Sequence, residues 1–261
     1  MLPIINIGSF PIPVYGTLIA FSYIIGTILI SFRANIYGYS KGNIYISSIL
    51  AAIGMIVGAK LLHFITVIPV LIKNRDAVHS SLLYAIYYSF SGYVFYGGLL
   101  GAIIMIYLYC VQMDFKFLHF MNVITPAIPF IHSIGRIGCF MGGCCYGIEY
   151  HGFLSIHFPI NEYVTELSNV PRFPIQLLEA AELFLLFIIF YIHSKYKYDD
   201  GFLFGTYLIS YGILRFFNEF LRGDVERGFL LHMSTSQWIS IMAVLIGIII
   251  CRTKKHGYNS N

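Results

Sequence analysis

The chain has 261 residues, 58% of them hydrophobic and only 11% charged, with a formal net charge of +4. Soluble domains carry about 25% charged residues, so this composition leaves too few polar groups to cover a water-facing globule, and a mean hydropathy of +0.76 agrees. The small positive charge gives no reason to expect nucleic acid as a partner.

The start, MLPIINIGSFPIPVYG, has no basic residue ahead of its apolar run and is not expected to be a cleaved leader. A spanning helix takes about 20 mostly apolar residues. The first such stretch covers 14–32 and is followed by Arg33 and Lys41. The second covers 44–66, with Lys60 inside it. Residues 67–96, rich in Tyr and holding Lys73, Arg75 and Asp76, read as an extracytoplasmic, interfacial segment with a short amphipathic helix. A third span is expected at 97–111 and a fourth at 117–140, interrupted by Pro126 and Pro129. Residues 146–173 form the largest extramembrane loop. Spans five to seven are expected at 174–193, 201–221 and 237–251.

The expected fold is therefore an all-α membrane protein, a bundle of about seven transmembrane helices forming a single domain over 1–261. Cytoplasmic loops collect Lys and Arg. Arg33, Lys41, Lys116, Lys195, Lys197, Arg252, Lys254 and Lys255 fall on one side, and Lys73, Arg75, Arg172, Arg222 and Arg227 on the other. That bias predicts an N-terminus outside and a cytoplasmic C-terminus.

Charges inside a span cost several kcal/mol and by default mark function. In YGILRFFNEFLRGD, Arg215, Glu219 and Arg222 recur at i, i+4 and i+7, one stripe of a helix. Two guanidinium groups and one carboxylate make a net positive site suited to phosphate, which Arg meets with a planar fork. The alternative is a structural Arg215–Glu219 pair, with Arg222 reaching out to the interface. Arg136 sits in HSIGRIGCFMGGCCYG among Gly135, Gly138, Gly142, Gly143 and Gly147. Such a stretch serves either an anionic head group, with backbone N–H groups as added donors, or close helix packing. Lys60 can carry its ammonium to an interface on its long stem.

Five cysteines, Cys110, Cys139, Cys144, Cys145 and Cys251, lack the spacing of a disulfide framework. Three of them cluster in the glycine-rich run. A metal there needs a fourth ligand from elsewhere, and no paired CxxC is present, so no metal is expected. A reactive thiol beside Arg136 and plain packing residues both remain open. His132, one turn before Arg136, is a candidate base or a hydrogen-bonded core histidine.

These segments together resemble the prolipoprotein diacylglyceryl transferase family. GRIGCFMGGCCYG is similar to that family's signature, usually GRIGNFxNxExxG. PIPVYG, YGGLLG, FPIQLLEA, YGILRFFNEFLRGD and MSTSQWIS follow the family's order of landmarks over nearly the whole chain. The resemblance implies transfer of a diacylglyceryl group from phosphatidylglycerol to the lipobox cysteine of a prolipoprotein signal peptide, in the bacterial cytoplasmic (inner) membrane. Glycerol phosphate leaves, and neither cofactor nor ATP is needed. It also implies roles: Arg136 and Arg215 as essential arginines, and Tyr15, Gly138, Gly147, Glu219 and Arg222 in substrate binding.

The departures bear on chemistry. Where the family has HGG this chain has Tyr96, Gly97 and Gly98, and that His is the group expected to activate the acceptor thiol. A Tyr with a pKa near 10 is a weak base at pH 7, so Tyr96 or His132 is the expected substitute. The signature Asn is Cys139, and the later Asn and Glu are Gly142 and Cys144. Two alternatives follow: a related lipid-using transferase with another thiol or lipid acceptor, and a non-catalytic lipid-binding or transport bundle.

Overall fold

The computed structural model describes residues 4–7, 10–73, 83, 86, 92–158, 170–224, 228–231 and 233–252. A hairpin of β1 (Ile4–Ile7) and β2 (Phe10–Pro13), with Ile5 opposite Ile12, leads into α1 (Val14–Ser31). There follow α2 (Lys41–Lys73), α3 (Phe95–Gln112), α4 (Phe117–Ile124), α5 (Ala127–Gly142), α6 (Ile175–His193) and α7 (Phe202–Asn218). A short 3-10 turn at Glu219–Leu221, a small hairpin of β3 (Phe229–Leu230) and β4 (Met233–Ser234), and α8 (Thr235–Arg252) complete the described chain.

Among the described residues, α1, α2, α3, α6 and α8 are long and apolar enough to cross a membrane. The α4–α5 pair, bent by 46° at its break, makes a sixth if it counts as one span. The bend falls at Thr125–Pro126, where proline cannot continue the backbone ladder. Pro129, expected to interrupt the same stretch, instead sits inside the first turns of α5. The outward faces of these helices carry Ile24, Ile28, Ile49, Ile53, Ile56 and Leu61, all exposed. This reverses the water-soluble pattern and suits a lipid surround.

The second span is longer than its composition suggested. It runs through Pro69 to Lys73, 33 residues in all, or about 50 Å at 1.5 Å per residue. The first part of the expected interfacial segment is thus helical. The expected amphipathic helix after it falls mostly outside the described residues, as does the stretch 159–169 of the 146–173 loop.

The chain divides into two compact units, Tyr39–Phe117 and the combination of Met1–Gly38 with Leu118–Asn261. The smaller unit is an α2–α3 hairpin packed backbone to backbone. A Cβ placed at Gly54 would strike the Gly101 carbonyl, and one at Gly58 would strike that of Gly97. Two GxxxG steps facing each other allow this approach, the usual means of joining helices in lipid. Val94 N–H donates to Ala59 O at 3.2 Å, Gly92 N–H donates to His63 Nε2 at 3.2 Å, and Lys60 Nζ lies 3.8 Å above the Tyr93 ring.

The larger unit pairs α1 with α5, α5 with α6 and α7 with α8. Polar pins hold its turns. Fully buried Asn122 donates to Asp199 O at 2.7 Å and accepts from Leu203 N–H at 3.1 Å. His119 Nδ1 lies 2.7 Å from Asp200 Oδ1. Tyr37 donates to Tyr196 O at 2.8 Å, and burial pushes its phenol up to about 12.

Candidate active site

The charged residues of the larger unit converge on one carboxylate. Glu179, on the second turn of α6, places Oε2 2.9 Å from Arg136 Nε and Oε1 3.0 Å from Arg215 Nη1. Arg215 extends its fork to Glu219 Oε2 at 2.9 Å and to Ser236 Oγ at 3.0 Å. All four charged side chains are nearly closed to solvent, Arg136 and Arg215 at 11% exposed and the glutamates at 3–4%. Breaking such a pair strands a buried charge, so the groups hold one another in place.

The two arginines are held differently. Arg215 makes aligned hydrogen bonds to Glu179 and Ser236. The Arg136 Nε–Glu179 Oε2 approach is close without hydrogen-bond alignment at either atom. Among the described residues Glu179 is the ion-pair partner of Arg136. Its guanidinium therefore has spare donor capacity. It faces a narrow, open-mouthed cavity lined by His132, Glu182, Tyr211 and Asn218 besides Arg136, Glu179 and Arg215.

His132 stands one turn from Arg136 as expected and packs its ring 5.3 Å from that of Tyr211. Tyr15, on the first turn of α1, lies against Gly138. A Cβ at Gly138 would sit 2.9 Å from the Tyr15 ring and 3.4 Å from its Cα, so glycine is what lets α1 and α5 meet there. Tyr15, Gly138, Arg136, Arg215, Glu219 and His132 thus belong to one neighbourhood. Tyr96, Gly97 and Gly98 belong to the smaller unit. Tyr96 is 40% exposed and edges against Phe95, Gly97 meets Gly58, and Gly98 faces Met55.

Arg222 corrects the expected stripe. Helix α7 ends at Asn218, and Arg222 is already extended, with φ −84° and ψ 138°. It therefore leaves the face shared by Arg215 and Glu219, and grips Asp224 through Nε at 3.0 Å and Nη2 at 2.5 Å. With Glu179 opposing the arginines, the buried cluster pairs two cations with two anions and is not the net positive stripe expected.

What places Arg222 is a strip of backbone pairing in the loops. Ile148 N–H donates to Leu221 O, Gly223 N–H to Tyr146 O, and Phe173 N–H to Ile148 O, each at 3.0 Å. Gly147 lies in the middle of this strip, where a Cβ would strike the Phe173 carbonyl. Arg172 covers it, stacked 4.4 Å above the Tyr146 ring.

Before that strip comes the thiol cluster. Helix α5 ends on Gly143 in the left-handed region, φ +71°, the usual glycine termination. The chain then turns so that the sulfurs of Cys139, Cys144 and Cys145 all lie within 4.8 Å of one another. The Cys145 thiol is held below its ordinary value by hydrogen bonds from Cys139 and Cys144, with Arg222 and Arg136 adding to the effect. Cys144 is pushed up to about 11.

Glu179, Glu182, Tyr211, Asn218, Ser236 and Asp224 were not among the residues expected at the site. For Glu179 and Glu182 the signal was present, since a carboxylate inside an apolar span is as costly as an arginine. Asn218, which donates to Glu182, and Ser236 gave none.

The fold and the pocket define a multi-helix membrane protein built around a buried arginine–glutamate cluster. Residues 3–253 match the family model described as prolipoprotein diacylglyceryl transferase, and the chain belongs to that family. It is 33% identical over 236 residues to the phosphatidylglycerol–prolipoprotein diacylglyceryl transferase of Clostridium tetani, covering 90% of each chain. It is 31% identical over 241 residues to the protein of that name numbered 2 in Clostridium perfringens, covering 92% of this chain and 90% of the relative. The protein of that name from Idiomarina loihiensis is 33% identical over 207 residues, with 78% and 73% covered.

Proposed function

We propose that this protein transfers a diacylglyceryl group from phosphatidylglycerol to the lipobox cysteine thiol of prolipoprotein signal peptides, as one membrane domain of the bacterial cytoplasmic membrane. The observation that carries the reading is the meeting of Arg136 and Arg215 on Glu179 at an open-mouthed cavity. The reaction breaks a carbon–oxygen bond to phosphate, so negative charge grows on the departing glycerol phosphate. Preorganised guanidinium donors in a water-poor site are worth most against charge that develops in the transition state. Glu179 and Glu219 keep the arginines oriented before substrate arrives, and Arg136 offers its remaining donors to the phosphate.

The other residues take supporting roles. His132 lies near enough to the cavity to receive the acceptor's proton, and Tyr96 is the second candidate for that task. In the larger unit Tyr15, Gly138, Cys139 and Gly147 are assigned to substrate binding, with Arg222 tied to Asp224; Gly97 and Gly98 of the smaller unit are assigned to substrate binding as well. Taking α7 with its 3-10 extension as a further span makes about seven and puts the termini on opposite sides, and the Lys/Arg bias of the loops supports an N-terminus outside and a C-terminus in the cytoplasm.

The test is transfer of labelled diacylglycerol from phosphatidylglycerol to a lipobox peptide, with purified protein in liposomes. Arg136→Ala and Arg215→Ala are each expected to lower the rate about 10²–10³-fold, the usual cost of losing one such donor. His132→Ala should lower it too. Wild-type protein that binds the lipid and labels no lipobox peptide would overturn the reading.

A further inference from the structure

Beyond the substrate contact assigned to Cys139, the thiol trio has no part in the chemistry above, and its geometry is unlike packing. Cys139 is buried on the last turn of α5, Cys145 is half-buried, and Cys144 is exposed. A small apolar filler explains the first and not the last. The loop that gathers them is held by several bonds. Cys144 N–H donates to Cys139 O at 3.1 Å, Gly143 N–H to Phe140 O at 3.3 Å, and the fully buried Gln176 donates from Nε2 to Cys144 O at 2.8 Å. Cys145 itself sits at φ +54°. A non-glycine residue persists in that region only where its surroundings hold it there, and such residues gather at functional sites.

Three sulfurs within 4.8 Å of one another match a ligand set. A thiolate–zinc bond is about 2.3 Å long, which puts neighbouring sulfurs roughly 4 Å apart, so a small inward movement of the loop closes the site. The sequence pattern argued against metal for want of a fourth ligand. Three protein ligands with an open fourth position are, however, what catalytic zinc sites use.

The geometry points to a three-thiolate site on Cys139, Cys144 and Cys145 that holds a divalent soft cation such as zinc, with its open position taking the acceptor's cysteine thiol. This rests on the proposed transfer and supplies what Tyr96 does poorly. A thiol that coordinates the cation is deprotonated outright. Its proton passes to water, and the bound sulfur then attacks the glyceryl carbon that carries the phosphate ester. One C–S bond forms, one C–O bond breaks, and the electron pair leaves on the glycerol phosphate oxygen. No electrons enter or leave. Three thiolates on a divalent cation carry one net negative charge, and Arg136 and Arg222 both lie within electrostatic reach of Cys145 to offset it.

The experiment uses the full chain in detergent with a reductant, stripped by a chelator and titrated with Co²⁺. Expected is one cobalt per chain, with thiolate-to-cobalt charge-transfer absorption and tetrahedral visible bands that added Zn²⁺ erases. Cys139→Ser and Cys144→Ser should each lose the charge-transfer bands while unfolding at the wild-type temperature. A lipobox peptide should shift and intensify the visible bands, and its Cys→Ser version should leave them unchanged. Diacylglyceryl transfer should fall to background in stripped protein and return with Zn²⁺.

The site is refuted by folded wild-type protein that gives no charge-transfer band, by bands that ignore the peptide thiol, or by transfer that survives stripping. The two readings fail separately. Bands that answer the peptide thiol without any diacylglyceryl transfer would remove the proposed reaction and leave the thiol-binding metal site. Equal transfer with and without metal would do the reverse.

Discussion

The α2–α3 hairpin and the arginine cluster solve opposite problems with the same kind of element. In the hairpin, glycines remove side chains so that Gly54, Gly58, Gly97 and Gly101 bring two backbones into contact. The glycine contacts set backbone against backbone, and the attraction there is dispersion at close range. Around Glu179 the helices are held by groups that lipid excludes. Four charges and Ser236 hold one another in place, with donors of Arg136 left over, and the cost of removing any one falls on the rest. The first arrangement tolerates chemistry and punishes volume. The second should tolerate volume and punish chemistry.

That contrast is sharpest at Glu179. Glu179→Gln keeps the volume, takes from Arg136 the carboxylate it pairs with, and leaves Arg215 with Glu219. Removing one partner of a buried pair costs about 3–5 kcal/mol, so a large fall in the thermal unfolding midpoint in detergent is expected. The sign for ligand is opposite, because less negative charge beside the guanidiniums strengthens binding of a free glycerol phosphate. A variant as stable as wild type, with unchanged inhibition by glycerol phosphate, would show that Glu179 does not govern the arginines.

At Gly58 the expectation reverses. Gly58→Leu adds no charge and drives a side chain into the Gly97 carbonyl. Overpacking costs about 1–3 kcal/mol, and the backbone on the far side cannot swing away as a side chain can. Gly42→Leu, on the same helix with nothing nearer than Ser40 Oγ at 3.5 Å, is the matched control and should be near neutral. Equal midpoints for the two variants would mean that the hairpin is looser than its glycines suggest.

How far these two regions could be read from sequence differs for a physical reason. Helical spans announce themselves by composition, and the expected stretches at 14–32, 97–111, 174–193 and 237–251 each coincide with a helix. The Arg215–Glu219 pair was legible because both residues lie on one helix at i and i+4. The partnership of Arg136 with Glu179 was not, since it joins residues on α5 and α6 that only folding brings together. Arg222 was misread because helical spacing was carried past Asn218, where the helix stops and the chain turns to pair with residues 146–148. The thiol cluster was legible as a clustering in sequence. Its convergence depended on two left-handed residues, Gly143 and Cys145, which no periodicity reveals.

Lys60 is the mildest test, because it places a charge in the glycine-packed unit. By its position in an apolar stretch it has the same default claim to function as Arg136. Its ammonium, however, lies over Tyr93 at 3.8 Å, beside the Val94 N–H to Ala59 O bond that ties the start of α3 to α2. A cation over an aromatic face at a partly exposed position is worth about 0.5–1 kcal/mol. Lys60→Met, which keeps the stem and loses the charge, should therefore lower the unfolding midpoint slightly and leave diacylglyceryl transfer within about twofold of wild type. Lys60→Arg should restore the midpoint, since a guanidinium stacks on the same ring. A loss of transfer on the scale expected for Arg136→Ala would instead place Lys60 among the groups that meet the phosphate, and the smaller unit would no longer be the part of the molecule where charge serves only packing.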